Sequence, residues 1–127
     1  MAGDTLQHCN LTPDHLLING GLIYVTGWSR AARAADWADL ALLAPLLVAE
    51  GHHPEEAEQL LAELPVWNRA PRQGVAGLAA LSALAHMHDA RSALNGKRQL
   101  YACRVKGGLL WLEHLVDRYL PGTCGGC

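Results

Sequence analysis

The residues best suited to chemistry in this 127-residue chain are four cysteines, two of which form the C-terminal Cys124-Gly125-Gly126-Cys127. A C-x-x-C pair catalyses thiol-disulfide exchange when a helix N-terminus lowers the thiol pKa, but no helical segment follows Cys127 in this sequence. A flexible dithiol could instead bind a soft metal, with Cys9 or Cys103 completing a four-thiolate site. Three interpretations stay open: an incidental tail, a metal site, and a redox or intermolecular disulfide.

The histidines and serines do not form a recognisable catalytic or metal-binding pattern. On a helix, His86 and His88 would point to nearly opposite sides, so they could not chelate one ion. His52-His53 stands at a predicted helix start, where the rings reach solvent. The serines lie in alanine-rich segments that lack a strained nucleophile turn. We therefore predict no catalytic residues, no metal and no cofactor, and expect a binding protein rather than an enzyme.

Charge and hydropathy exclude several classes of partner. The formal net charge is -2 and no Lys/Arg stripe is present, so neither nucleic acid nor an anionic membrane is expected. The apolar runs Leu16 to Val25 and Leu40 to Ala49 are too short to span a bilayer. Residues 1–4 lack the basic start of a signal peptide, which predicts a cytoplasmic protein with reduced thiols.

Composition favours helices. Half of the residues are apolar, Ala and Leu dominate, and Phe is absent. We predict an all-α fold of about five helices paired into antiparallel hairpins. The predicted organisation is a flexible arm at 1–11, a single helical domain at 12–120 and a Cys/Gly tail at 121–127.

The first predicted helix, Pro13 to Thr26, has a competing interpretation. Thr12-Pro13-Asp14 is a strong helix start, because the hydroxyl can cap and proline fits the first turn. Asn19-Gly20 is also a frequent turn of a β-hairpin, here between Leu16-Leu17-Ile18 and Leu22 to Val25. The upstream cap decides in favour of helix.

Later helices are predicted from prolines, glycines and apolar spacing. A second helix begins near Ser29 and is kinked at Pro45, and a third runs from His52 to about Leu64. The segment from Pro65 to Pro71 is predicted to be a linker. Two further helices cover Pro71 to Leu94 and Lys97 to Leu120. Whether Gly20-Gly21 and Gly107-Gly108 lie in helices or turns is left undecided.

The spacing of Gly20, Gly27 and Ala32 resembles that of the small residues in a tetratricopeptide repeat. Leu16-Leu17-Ile18-Asn19-Gly20 is similar to the first repeat of the small chaperones of bacterial type III secretion. Asp36 stands where that family has a large residue, and no 34-residue period continues along the chain. The resemblance implies a helical groove lined by Leu17, Gly21 and Tyr24.

A function as chaperone or adaptor follows from this resemblance. The groove would hold a partner polypeptide, such as a type III secretion component, by burying the apolar face of the partner. Trp28 is added to the predicted contacts because tryptophans near helix ends often anchor interfaces. The alternative is a small metal-binding or thiol-redox protein that uses the C-terminal C-x-x-C. Both a hetero-oligomer and a homo-oligomer are compatible with the sequence.

Overall fold

A computed structural model describes residues 3–94 and 96–120, and within these ranges the fold is mixed α/β. Two antiparallel two-stranded sheets precede five α-helices, so the all-α prediction is wrong. The strands are β1 (Thr5–Gln7), β2 (Leu16–Asn19), β3 (Leu22–Val25) and β4 (Ala32–Ala34). The helices are α1 (Ala38–Ala49), α2 (Pro54–Ala62), α3 (Pro65–Arg69), α4 (Arg72–Ser92) and α5 (Arg98–Tyr119).

The predicted first helix is replaced by a β-hairpin. Thr12-Pro13 starts only a short 3-10 turn at Pro13–His15, after which β2 and β3 pair with Leu16 opposite Val25. Gly20 and Gly21 form the two-residue connection with φ values of 58° and 78°. Positive φ at both central residues matches the twist of a hairpin, and glycine adopts it without steric cost. The competing β-hairpin interpretation is confirmed, with the turn one residue later than expected.

A second sheet joins the start of the chain to the segment before α1. Strand β1 pairs antiparallel with β4, with Thr5 opposite Ala34 and Gln7 opposite Ala32. The sequence predicts a loose arm over 1–11, yet Gln7 and His8 are buried among the described residues of that segment. Pairing with β4 therefore positions the loop between β1 and β2 against the helices.

The helices pack around a small core rich in tryptophan and alanine. Helix α1 continues through Pro45. At the start of α2, His53 Nδ1 accepts the N–H of Glu55 at 3.4 Å, and Glu56 Oε2 accepts the N–H of His53 at 3.1 Å. A short helix, α3, occupies the segment predicted as a linker. The largest fully buried side chains include Trp67, Trp111, Leu115 and Val75. In the part of the chain that is described, no helix combines the length and apolar character needed to cross a bilayer.

Candidate functional site

The β2–β3 hairpin presents an apolar surface that nothing in the described chain covers. All eight strand residues are exposed, among them Ile18 at 73% and Ile23 at 67%. Since Ile18 lies opposite Ile23 in the register and successive side chains alternate, both faces of the hairpin carry large apolar groups. Large exposed apolar patches are typical of interaction surfaces, which makes the hairpin the candidate site.

The four predicted contact residues all lie on this hairpin or beside it, although not in a helical groove. Leu17 is opposite Tyr24 in the register, and both are exposed. Gly21 is in the turn. Trp28 follows β3 in a 3-10 turn, where its Nε1–H donates to the carbonyl of Val25 at 2.9 Å. The prediction of a helical groove is therefore wrong. That these residues contact a partner stays a prediction.

A loop of residues 8–15 connects β1 to the hairpin and is held at its start by Asp39. The two carboxylate oxygens of Asp39, in the first turn of α1, accept the backbone N–H groups of His8 and Cys9, each at 2.7 Å. The Asp39 N–H in turn donates to Oε1 of Gln7 at 2.9 Å. These bonds tie the loop to the helical core, and they hold Cys9 at a φ of 62°, in the left-handed region.

His8 links the loop to the far end of the hairpin. Its ring is 1% exposed, its Nε2 lies 2.7 Å from the carbonyl of Thr26, and its Nδ1 accepts the N–H of Asn10 at 3.2 Å. With Nδ1 accepting, Nε2 must carry the hydrogen that is donated to Thr26. The ring also meets Trp28 edge to face, with centroids 4.8 Å apart. The base of the hairpin is thus fixed although its strands are exposed.

The order of residues in this loop is similar to the catalytic loop of protein kinases, H-R-D-L-x-x-x-N. His8 and Leu11 match the first and fourth positions, but Asn10 replaces the Asp that accepts the substrate proton, and His15 replaces the Asn that binds Mg²⁺. An amide cannot act as that base, and imidazole is a poor ligand for Mg²⁺. The spacing of His8 and Leu11 could have drawn attention to this loop in the sequence. The residues present do not supply the base and the Mg²⁺ ligand that phosphoryl transfer requires.

The predicted thiol and histidine sites are not brought together in the described residues. Cys9 and Cys103 are free, and burial, with the nearby Asp39 charge, raises the pKa of the Cys9 thiol, which disfavours the reactive thiolate. Within 3–94 and 96–120, no three His, Cys, Asp or Glu side chains group as metal ligands. Cys124 and Cys127 lie outside the described residues, so the metal and redox interpretations of that pair stay predictions.

A second polar cluster joins α2 to α5 around the buried carboxylate of Glu58. His114 Nε2 lies 2.7 Å from Oε2, Arg118 Nε lies 3.5 Å from the same oxygen, and the Tyr119 hydroxyl donates to Oε1. Beside it, the Arg72 guanidinium lies between two aromatic rings, those of Trp67 and Tyr119. The cluster connects helices that are distant in the sequence. Both Glu58 oxygens have partners, whereas Arg72 Nη1 is buried without a hydrogen-bond partner among the described residues, and we assign the cluster a structural role.

This cluster predicts an acid-sensitive contribution to stability. Burial acts to raise the pKa of Glu58, but hydrogen bonds from Tyr119 and His114 and the charge of Arg118 outweigh it, so the pKa lies below its ordinary value near 4.5. A lowered folded-state pKa stabilises the protein above the unfolded value, and this stability is lost as pH falls through the folded value. Glu58→Gln should cost about 1 to 3 kcal/mol at pH 7.

Urea unfolding of Glu58→Gln and the parent chain from neutral pH to about pH 3 checks this. The difference between the two chains should shrink below the ordinary glutamate pKa. Glu63→Gln, at an exposed glutamate just after the same helix, is the matched control and should change stability little. An equal loss for both variants, or a difference independent of pH, would contradict the assignment.

No protein-family model, curated protein or solved structure gives a significant match to this chain.

Proposed function

We propose that this chain is a cytoplasmic protein-binding adaptor or chaperone whose β2–β3 hairpin holds a partner polypeptide. The observation that carries the proposal is the exposure of both apolar faces of the hairpin, including Ile18, Ile23 and Tyr24. Leaving such an area in water is unfavourable by about 25 cal/mol per Å², so covering it supplies a driving force for association. The fixed base at His8 and Trp28 limits the ordering cost of binding.

The chemistry of the hairpin indicates what kind of partner fits. Residues 16–25 contain no charged side chain, so the complementary surface is apolar rather than acidic or basic. Each strand pairs only with the other in the described chain, which leaves an outer edge on both β2 and β3. A partner strand can add to such an edge through backbone hydrogen bonds while its apolar side chains cover a face. The proposed occupant is therefore an apolar β-segment of another polypeptide.

The type III secretion partner receives no support from the arrangement of these residues. The resemblance depends on Gly20, Gly27 and Ala32 facing one another across two helices. Instead, Gly20 is in the hairpin turn, Gly27 has a φ of 70° before a 3-10 turn, and Ala32 begins β4. The proposal accordingly specifies the surface of the partner and not the pathway in which it acts.

A site-specific photocrosslinker at Ile23 tests the proposal in cells. It should give one dominant adduct with another polypeptide, while the same crosslinker at Leu84, 61% exposed on α4, should not. The captured partner is then purified. Its addition should slow amide exchange in β2 and β3 while α4 is unchanged.

Two single variants, Ile18→Lys and Ile23→Lys, should each weaken binding of that purified partner by about tenfold or more. Each places a charge on the hairpin face that the partner would bury. Leu84→Lys is the control and should bind like the parent chain. Sedimentation of the chain alone distinguishes the other occupant: a dimer that Ile23→Lys dissociates would assign the hairpin to a second copy. Equal crosslinking at Ile23 and Leu84 would contradict the proposal.

A further inference from the structure

A polar cleft separate from the hairpin lies between the 8–15 loop and helices α4 and α5. It consists of two adjoining cavities of about 170 and 220 Å³. Both are lined by the same six residues, which come from the loop, from the turn after β3 and from both long helices: Asn10, Thr12, Arg30, His86, Asp89 and Arg104. Together the cavities approach the size of a small-molecule site.

Basic side chains outnumber acidic ones in this cleft. Arg30, Arg104 and Lys97 line it, against the carboxylates of Asp14 and Asp89. Within the described residues, none of the three cations lies within 4 Å of a carboxylate, whereas Arg33, Arg69 and Arg118 elsewhere all do. Arg104 also lies over the Tyr101 ring, 5.8 Å from its centre, which leaves its charge unneutralised. Positive charges without carboxylate partners on a concave surface attract an anion.

His86 contributes to the wall of both cavities. Its ring lines both cavities, and its Nδ1 is buried with no hydrogen-bond partner in the described structure. Burial and the charge of Arg104 lower the pKa of His86, opposed by Asp89, so both charged groups act on this ring. Because this Nδ1 has almost no accessible surface, a molecule in the cleft does not reach it, and the cations are the groups that a bound anion can contact.

We infer that this cleft binds a small phosphate-bearing molecule through Arg30, Arg104 and Lys97. Guanidinium groups bind phosphate oxygens through paired, charge-assisted hydrogen bonds. Thr12 and Tyr101 add hydroxyl groups along the same wall. Asp14 and Asp89 disfavour a ligand that carries negative charge throughout, which favours one with a single phosphate group beside neutral hydroxyl or amino groups.

Titration of the full chain with inorganic phosphate tests the inference. Amide NMR monitors the titration, and chloride keeps the ionic strength constant. Saturable shifts should appear in the 8–15 loop and near His86. Arg104→Gln and Arg30→Gln should each weaken binding by about tenfold or more, the loss of one charge-assisted contact. Arg98→Gln on α5, an exposed arginine outside both cavities, should bind like the parent chain.

Thermal unfolding of each variant confirms that it is folded before binding is compared. Shifts that grow linearly without saturation, or an equal loss in Arg98→Gln and Arg104→Gln, would show general charge screening and overturn the site. Glycerol 3-phosphate should bind more tightly than inorganic phosphate if the cleft takes a phosphate monoester. Equal affinity for chloride would also overturn the inference. None of these outcomes depends on the hairpin.

Discussion

Gly107→Ala should destabilise the protein by about 3 kcal/mol, because α5 approaches the backbone of α1 at this residue. A Cβ at position 107 would lie 2.5 Å from the backbone N of Ala49 and 2.7 Å from its Cα. These atoms belong to the last turn of α1, so they can move only if one helix shifts against the other. Alanine improves helix propensity by about 1 kcal/mol, which offsets only part of this cost.

Gly108→Ala is the matched control, since it makes the same chemical change one residue along the same helix. A Cβ at position 108 would meet Ala83 Cβ at 3.5 Å, an ordinary contact. The gain in helix propensity should then leave this variant equal to the parent chain or more stable by up to about 1 kcal/mol. Chemical denaturation of both variants, read by the fluorescence of the buried Trp67 and Trp111, measures the difference.

The double variant Gly107→Ala with Ala49→Gly tests whether the clash at position 107 is with the Ala49 side chain or with its backbone. Removing the Ala49 side chain relieves its Cβ, but the clashes with the Ala49 N and Cα remain. We therefore expect only partial recovery of stability. Full recovery would show that the side chains, and not the backbones, limit the approach of the two helices. Similar stability for Gly107→Ala and Gly108→Ala would contradict the proposed close contact.

The helical half of the fold could be predicted because its signals are local. Pro54 with two following acids marks the start of α2, and the apolar segments up to Leu94 and from Lys97 contain α4 and α5. The glycine pairs could not be assigned, since glycine serves both turns and close helix contacts. Gly20-Gly21 needs positive φ, whereas Gly107 needs the absence of a side chain within a helix.

The sequence favours a helix over the β2–β3 hairpin and does not indicate the β1–β4 pairing, because the evidence for the β-structure is either ambiguous or distant in the sequence. Thr12-Pro13-Asp14 fits a helix start and also the 3-10 turn that precedes β2. Strand β1 has only three residues, and its partner β4 follows the whole hairpin. No local pattern shows that pairing, or the contact of Asp39 with His8. The candidate contacts Leu17 and Tyr24 could be named as apolar and aromatic, but their exposure is a tertiary property.

Asp39→Asn should destabilise the protein by about 2 to 4 kcal/mol and release the 8–15 loop. The carboxylate accepts two backbone N–H groups, from His8 and Cys9, at 2.7 Å each. Asparagine has a single acceptor oxygen, so its NH₂ group would face one of these N–H donors and leave it without a partner. Losing one charge-assisted bond and weakening the other accounts for the expected magnitude.

Hydrogen exchange distinguishes local release from global unfolding. In Asp39→Asn, amide protection should fall most at His8 and Cys9, and next in the β2–β3 hairpin, whose base depends on His8. Protection in α4 and α5 should fall only by the global loss of stability. Asp36→Asn is the control, because Asp36 makes one exposed ion pair with Arg69 at 3.4 Å and should cost less than about 1 kcal/mol.

Cys9 provides the complementary test of the same contact. Its φ of 62° is strained for a residue with a Cβ, and the two bonds to Asp39 hold it there. Cys9→Gly should relieve that strain and stabilise the parent chain by up to about 1 kcal/mol, whereas Cys9→Ala removes the thiol and keeps the strain. If Asp39 holds the loop against this strain, Cys9→Gly should recover less stability in the Asp39→Asn background than in the parent chain, because the released loop has already lost the strained φ. Equal effects in both backgrounds would show that the two residues act independently.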